Sequence, residues 1–373
     1  MMKFFTSEGG LNKQDIKKVL DYAKNHKKNT FVDKTFDKTD FLTDYSTALI
    51  SLIRQKTALQ SPLSGMKIIV DAGNGCGGFF VDKVLKTLGA DTAGSLYLEP
   101  DGSFPNHVPN PENSEVMKNF AIHVLENKAD LGIVFDTDVD RAAIITANGV
   151  SLSRSRLIAL MSDIILSEHP SSCIVTDSVT SKSLTEFINK RGGIHHRYKR
   201  GYNNVINEAK RLNEEGKPCY MAIETSGHCA LKENGFLDDG AYLTIKALIK
   251  YSQLKLKGLD FDDLLKDYQD PAEEIEFRPE FLTEDFVSYG NQLLNDFKSF
   301  VPTVSGWSIV EPNYEGVRIN CDKTSGDGWA LLRMSLHDPV LPINIESDSP
   351  GGANIIKNKL LEFLQNYKLK ING

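Results

Sequence analysis

The chain has 373 residues, of which 40% are hydrophobic and 25% charged, and its formal net charge is -7. This length predicts two to four domains, and the acidic balance excludes a typical nucleic-acid-binding protein, which needs clustered Lys and Arg. No apolar run approaches the roughly 20 residues of a membrane-spanning helix. The five scattered cysteines indicate reduced thiols in a cytoplasmic protein rather than a disulfide framework or a zinc site.

The first 60 residues contain two predicted helices separated by a polar stretch. Residues 15–24 form a plausible helix, and residues 25–40 are rich in Lys, Asn and Asp, which predicts a linker. Residues 40–58 carry apolar side chains at helical spacing, and a Ser-Pro break follows. We therefore expect residues 1–60 to be the remnant of a first domain and a linking helix.

Residues 61–170 show the alternation of strand and helix that is typical of an α/β domain. An apolar strand at 68–71 precedes a glycine-rich segment at 72–78 and a helix. The glycines fit the G-x-G-x-x-G pattern of a dinucleotide site, with Glu99 where a ribose-binding acid is expected. A tight turn that lets the helix pack on its strand explains them equally well, and we favour it because Asp71 would face the pyrophosphate.

A proline-rich segment at 100–111 predicts a rigid connection without regular structure, in which His107 is structural rather than catalytic. A helix at 114–127 then leads to an acidic loop between two apolar strands. A further helix at 152–166 closes the unit.

The acidic loop at 136–141 has the sequence Asp-Thr-Asp-Val-Asp-Arg. Three like charges at alternate positions repel each other unless a cation lies among them, and hard cations such as Mg²⁺ prefer oxygen ligands. We therefore predict that Asp136, Asp138 and Asp140 bind a metal ion. Arg141 adds a guanidinium that can bind phosphate bidentately.

Three other interpretations of this loop fit the residues less well. An EF-hand needs Gly at its sixth position and Glu at its twelfth, where this chain has Arg141 and Ala147. A phosphatase of the haloacid dehalogenase type also places Asp-x-Asp after a strand, but it normally continues with Thr or Val where this chain has Asp140. A solvated acidic turn rarely carries three aspartates and an arginine between strands.

The alternation restarts at Pro170, which predicts a second α/β unit at 171–280. Ligands bind at the carboxyl ends of strands in such sheets, and two polar clusters follow predicted strands. One is Lys-Arg-Gly-Tyr at 199–202. The other is Glu-Thr-Ser-Gly-His at 224–228, which offers an acceptor, a hydroxyl and an imidazole suited to sugar hydroxyls. An ordinary polar turn explains the second cluster about as well on its own, whereas a serine-hydrolase elbow would need Gly at its first position.

Residues 281–373 predict a C-terminal α+β domain, because two helical segments flank two apolar strands. Arg333, Ser335 and His337 combine a guanidinium, a hydroxyl and an imidazole at a strand end, which suits a phosphate. The predicted fold class is thus α/β, with two successive α/β units of mixed, mainly parallel sheets followed by this α+β domain.

With these clusters in place, the chain resembles the α-D-phosphohexomutases, the phosphoglucomutase and phosphomannomutase superfamily, from about residue 3 to its end. Residues 136–141 look like the family's D-G-D-x-D-R magnesium loop, and residues 224–228 look like its G-E-x-S-G-H sugar loop. Residues 199–202 fall where the family has a Lys-x-Gly-His-like substrate turn, and residues 71–78 resemble its D-x-G-N-G-x-G segment.

Two departures from the family pattern accompany this resemblance. Arg333 and Ser335 align with the phosphate-binding R-P-S-G-T-E-P loop, but Met334, Leu336 and His337 replace its Pro, Gly and Thr. The family's phosphoryl-carrying serine lies in a T-A-S-H-N-P-like loop of the first domain, and the printed sequence contains no such loop. The resemblance therefore implies a mutase that lacks most of its first domain.

The resemblance implies a phosphohexomutase that interconverts hexose 1-phosphate and hexose 6-phosphate through hexose 1,6-bisphosphate with Mg²⁺. We expect a monomer or weak homodimer, and negligible turnover by this chain alone because the nucleophile is missing. The alternative is a non-catalytic phosphosugar-binding or regulatory paralogue. The implied roles are Mg²⁺ binding by Asp136, Asp138 and Asp140, catalysis by Arg141 and Lys199, and substrate binding by Lys199, Glu224, Ser226, His228, Arg333, Ser335 and His337.

Overall fold

The computed structural model describes residues 4–6, 9–11, 13–26, 39–335 and 338–371. A small hairpin and two helices precede the first sheet, and most of the predicted linker at 25–40 lies outside the described residues. The elements of this part are the paired strands Phe5–Thr6 and Gly9–Gly10 and the helices Lys13–Asn25 and Phe41–Thr57.

The helix Phe41–Thr57 packs against a helix that occurs much later in the chain, Gly240–Lys255. Its Leu49 and Ile53 are buried. The hydroxyl of its Tyr45 donates to both carboxylate oxygens of Asp239 at 2.7 Å. This helix is therefore part of the main core, although its sequence predicted only a linking role.

The first sheet has four strands and is mixed, as predicted, but it is mainly antiparallel rather than mainly parallel. One ladder is parallel and two are antiparallel. The acidic loop and the turn at 147–150 each join neighbouring strands as a hairpin, because both are too short for a crossover. The strands in sheet order are Ile68–Asp71, Leu131–Phe135, Ala142–Thr146 and Ser151–Leu152. The helical elements are the π-helix Phe80–Leu85, the 3-10 turn Lys86–Leu88 and the α-helix Ser114–Glu126.

The glycine-rich segment after the first strand packs closely against the acidic loop. A Cβ atom added at Gly75 would lie 2.7 Å from the carbonyl oxygen of Thr137. Residues 100–111 contain no helix or strand, as predicted. His107 Nε2 in that segment lies 3.0 Å from Asp71 Oδ2. These contacts favour the packing interpretation of the glycines over a dinucleotide site and agree with a structural His107.

The second sheet also has four strands, and only its first pair is antiparallel. The strands in sheet order are Cys229–Leu231, Cys219–Ile223, Cys173–Thr176 and Ile194–Arg197. The helices of this unit are Arg154–Glu168, Lys182–Lys190, Tyr202–Glu214, Gly240–Lys255 and Phe261–Leu265.

The helix Arg154–Glu168 corrects the predicted boundary at 170. It packs against three helices of the second unit, because its apolar side chains lie nearly all round its axis and need partners beyond the first sheet. We therefore place it with the second unit. One continuous apolar cluster fills both units, from Leu49 to Tyr268.

The C-terminal domain has a five-stranded antiparallel sheet and a separate apolar core. Its strands in sheet order are Glu273–Phe277, Ile343–Ser347, Gly328–Leu332, Val317–Cys321 and Trp307–Ile309, and its helices are Phe286–Phe300 and Gly352–Leu364. A two-stranded pair, Glu280–Phe281 and Leu369–Lys370, completes it. The first strand lies before the predicted boundary at 280, so this domain begins earlier than predicted.

A buried arginine connects the C-terminal domain to the second unit. Arg318 donates from Nη1 to the carbonyl of Ser178 at 2.8 Å and from Nη2 to that of Thr180 at 3.0 Å. Its guanidinium lies 3.6 Å from the centre of the Trp329 ring, and Trp329 Nε1 donates to Glu346 Oε2 at 2.8 Å.

Among the described residues, none of the helices is both long and apolar enough to cross a membrane.

Candidate functional site

The acidic loop brings three carboxylates together at the carboxyl end of the strand Leu131–Phe135. Oxygen atoms of Asp136, Asp138 and Asp140 all lie within 4.8 Å of one another. Between the last two, Val139 has a positive φ of 63°, so the chain bends sharply within the loop. Asp136 and Asp140 are buried and Asp138 is exposed. A donor set of carboxylate oxygens with one side open to solvent fits Mg²⁺, which keeps positions for water or phosphate.

The charge of these aspartates is only partly balanced within the chain. Burial, together with the charge of the neighbouring Asp140, raises the pKa of Asp136 to about 7 against the opposing charge of Arg141. Arg141 donates to Asp136 from its backbone nitrogen at 3.1 Å and from Nε at 3.0 Å. A divalent cation would favour the ionised carboxylates.

The sugar loop predicted at 224–228 lies directly against the acidic loop. Arg141 and His228 form an antiparallel bridge, and a Cβ atom at Gly227 would lie 3.0 Å from the carbonyl oxygen of Ala142. Gly240, the first residue of its helix, donates from its nitrogen to the carbonyl of Val139 at 2.9 Å. The two motifs, far apart in sequence, therefore form one surface.

His228 is held between two carboxylates and an aromatic ring. Its Nδ1 lies 2.5 Å from Asp238 Oδ2 and 3.9 Å from Asp140 Oδ1. The ring of Tyr202 stacks on it with 5.1 Å between ring centres. Burial alone would lower the pKa of His228, but the hydrogen bond and charge of Asp238, with Asp140 and Glu224, raise it above its ordinary value. These contacts favour the protonated imidazolium.

Glu224 and Ser226 are buried beside this imidazole. Gly201 donates from its backbone nitrogen to Glu224 Oε1 at 2.5 Å, and the Ser226 hydroxyl donates to Glu224 Oε2 at 3.4 Å. Burial, together with the charge of Asp177, raises the pKa of Glu224 to about 7. The carboxyl group can therefore exchange hydrogen bonds with a ligand hydroxyl.

The cation that faces this site from the turn at 199–202 is Arg200 rather than Lys199. Lys199 is exposed, and its Nζ lies 5.9 Å from the centre of the Tyr198 ring. Arg200 is half-buried, with Nη2 3.2 Å from Glu112 Oε1 and Nε 4.0 Å from Asp177 Oδ2. Side chains alternate in direction along extended backbone, and this alternation was a signal that only one of the two cations would face inward.

The C-terminal cluster is brought to the same cleft in part. Arg333 is buried, and its Nε has no hydrogen-bond partner among the residues that the structure describes. Burial lowers the pKa of Arg333, whereas the charge of Glu315 raises it and that of Arg200 lowers it. The Ser335 hydroxyl accepts from the nitrogen of Asp338 at 3.3 Å. His337 lies outside the described residues.

Several residues that surround these side chains were not predicted from the sequence. Asp177 directly follows the strand Cys173–Thr176, so the strand-end rule was a sufficient signal for it. Asp238 lies just before the helix Gly240–Lys255, where an acidic residue also complements the helix dipole. Glu112 and Glu315 lie in loops with no motif, and only the folded chain brings them to the site.

Comparison with known proteins agrees with this geometry. Residues 43–149 match the family model described as phosphoglucomutase/phosphomannomutase, alpha/beta/alpha domain II, and residues 153–269 match the one described as domain III. The chain is 31% identical over 287 residues to a phosphomannomutase/phosphoglucomutase of Pseudomonas syringae pv. tomato, covering 76% of this chain and 57% of that protein. It is 29% identical over 295 residues to one of Pseudomonas putida, covering 79% and 59%.

The fold is also similar to solved structures. A phosphoglucomutase/phosphomannomutase family protein of Burkholderia thailandensis aligns with a TM-score of 0.70 and 24% identity, covering 87% of this chain and 66% of that one. The phosphoglucomutase parafusin of Paramecium aligns with a TM-score of 0.62 and 15% identity, covering 90% and 64%. The chain spans roughly three-fifths of the length of the two Pseudomonas relatives, 57% and 59%.

Proposed function

This chain belongs to the α-D-phosphohexomutase superfamily of phosphoglucomutases and phosphomannomutases, and on that premise we propose that it serves the interconversion of hexose 1-phosphate and hexose 6-phosphate through hexose 1,6-bisphosphate. The observation that carries the proposal is the direct contact of the acidic loop with the sugar loop through Arg141 and His228. A phosphoryl group at the first loop and a sugar at the second would then be adjacent.

The acidic loop would stabilise the phosphoryl group. Bound by Asp136, Asp138 and Asp140, Mg²⁺ would neutralise charge on the transferring phosphoryl oxygens. Arg141, already oriented by its two hydrogen bonds to Asp136, would donate to the same oxygens. We propose this as the catalytic role of Arg141.

The remaining residues would bind the substrate. Glu224 and Ser226 would exchange hydrogen bonds with sugar hydroxyls, and the His228 imidazolium would donate to an oxygen of the sugar or its phosphate. Arg333 would bind the non-reacting phosphate with Ser335, and its buried Nε, which has no hydrogen-bond partner within the described part of the chain, supports this role. The exposed position of Lys199 does not support the catalytic role predicted for it.

Because the printed 373 residues contain no T-A-S-H-N-P-like serine loop, we propose that they bind hexose phosphate without turning it over. The test is a coupled mutase assay of this chain with glucose 1-phosphate, Mg²⁺ and glucose 1,6-bisphosphate, together with calorimetric binding of glucose 1-phosphate. We expect binding with negligible conversion. Robust conversion would refute the predicted inactivity, and absence of binding would refute the substrate assignment.

A non-catalytic phosphosugar-binding or regulatory role is the second candidate, and the buried Glu224 and Ser226 of the sugar loop favour it. Sequencing the transcript upstream of the codon for Met1 separates the two candidates. An in-frame serine loop would indicate an active parent enzyme. We also propose that the protein is cytoplasmic and that it is a monomer or a weak homodimer.

A further inference from the structure

Glu112 places one carboxylate between two guanidinium groups of different units. Its Oε1 lies 3.2 Å from Arg200 Nη2, and its Oε2 lies 3.7 Å from Arg141 Nη1. Each oxygen thus faces a different arginine. Asn110 supports this arrangement, because its Oδ1 accepts from Arg141 Nη1 at 3.3 Å and from the nitrogen of Glu112 at 3.0 Å.

Arg200 is held in position by two carboxylates, and its side chain remains partly exposed to solvent. Its backbone nitrogen donates to Glu315 Oε2 at 3.2 Å, and its Nε lies 4.0 Å from Asp177 Oδ2. Its side chain nevertheless remains 25% exposed, and that of Glu112 remains 31% exposed. An anion from solvent can therefore reach the guanidinium, whereas Arg200 itself is held in position.

Arg200 also lies near both arginines assigned to phosphate. It shares Glu112 with Arg141, and its charge lowers the pKa of Arg333. The three guanidinium groups come from the first unit, the second unit and the C-terminal domain. Such an arrangement provides binding partners for a ligand with phosphate groups at either end.

We propose that Arg200 is a phosphate-binding residue and that Glu112 occupies the place of the phosphate until a sugar phosphate displaces it. A phosphate dianion carries more charge and more acceptor oxygens than a carboxylate, so it forms stronger hydrogen bonds with the same pair of arginines. Glu112 precedes Asn113, the residue that caps the helix Ser114–Glu126, and its side chain can turn away without breaking a helical hydrogen bond. This inference rests on the proposed function.

The test is calorimetric binding of glucose 1-phosphate, inorganic phosphate and glucose to the full chain in the presence of Mg²⁺. Glu112→Gln removes the competing charge. We therefore expect it to increase the affinity for glucose 1-phosphate and for inorganic phosphate by roughly three- to tenfold. Arg200→Met should weaken both by about tenfold or more, since a hydrogen bond to a charged group is lost, and Arg200→Lys should lie between. Glucose alone should respond to none of these changes.

Matched controls come from an exposed pair outside the site, Arg211 and Glu215. Arg211→Met and Glu215→Gln should leave all three affinities unchanged, and thermal unfolding checks that each variant is folded. Unchanged or weaker phosphate binding by Glu112→Gln, or unchanged binding by both Arg200 variants, would overturn the inference while leaving the proposed function intact. Failure of the unmodified chain to bind glucose 1-phosphate would instead overturn the proposed function.

Discussion

Replacing Glu346 by glutamine should make the stability of the protein less dependent on pH. The Glu346 side chain is buried and accepts a hydrogen bond from Trp329 Nε1 at the contact between the C-terminal domain and the second unit. Burial, together with the charge of Glu274, raises its pKa from an ordinary 4.5 to about 7, against the hydrogen bond from Trp329 and the charges of Arg318 and Arg154.

The sign of the effect follows from the two states of the carboxyl group. The folded chain keeps a proton that the unfolded chain releases, so the stabilising contribution is complete below pH 4.5 and is lost as the pH rises to about 7. A shift of this size corresponds to about 3 kcal/mol. Glutamine still accepts the hydrogen bond from Trp329 Nε1 and cannot ionise. Glu346→Gln should therefore not lose this stability as the pH rises.

The measurement is urea unfolding from pH 5 to pH 8, followed by the fluorescence of the two tryptophans of the chain. The free energy of unfolding of Glu346→Gln, relative to the unmodified protein, should rise by about 2 kcal/mol over this range. Glu362→Gln is the matched control, because that carboxylate is exposed and pairs only at the surface with Lys359. If the curves for Glu346→Gln and the unmodified protein are parallel, the assignment of the raised pKa is wrong.

Three further predictions concern the acidic loop and the core. Asp136→Asn should weaken Mg²⁺ binding, measured by calorimetry, by about tenfold or more, because a charged ligand is lost. Gly240→Ala should lower the free energy of unfolding in urea by about 1–3 kcal/mol, since its Cβ would lie 2.7 Å from a backbone atom of the acidic loop, whereas Gly102→Ala, with nothing within 4 Å, should be neutral. Lys246→Met should cost about 1–3 kcal/mol in the same assay because it leaves two partly exposed glutamates without their buried cation, while the exposed Lys190→Met should cost under about 1 kcal/mol.

Local pattern predicted most of the elements because each depended on its own residues. The strand at 68–71 is an unbroken apolar run, and the structure has it as Ile68–Asp71. The helix at 114–127 begins after an Asn cap and is observed as Ser114–Glu126. Glu273–Phe277 was missed, since three of its five residues are glutamates and only pairing with the neighbouring strand makes this sheet edge recognisable.

In the site, too, features that depend on neighbouring residues were predictable, whereas contacts between distant segments were not. The acidic and sugar loops each follow an apolar strand, so their positions at sheet edges were predictable, although the contact between them was not. The choice between Lys199 and Arg200 depends on which side chain meets Glu112 and Asp177, and both partners come from other segments. Ion pairs between units produce no periodic pattern in the sequence, so the sequence alone does not predict them.

The position of the helix Phe41–Thr57 affects how the protein can be divided for experiments. A recombinant fragment that starts at residue 61, the boundary predicted from sequence, would expose the apolar groove that Leu49 and Ile53 fill and would remove the hydroxyl of Tyr45 from Asp239. Asp239 also caps the helix that begins beside the acidic loop, by accepting from the nitrogen of Tyr242. Fragments intended for crystallisation or for spectroscopy of the metal site should therefore begin before Asp40.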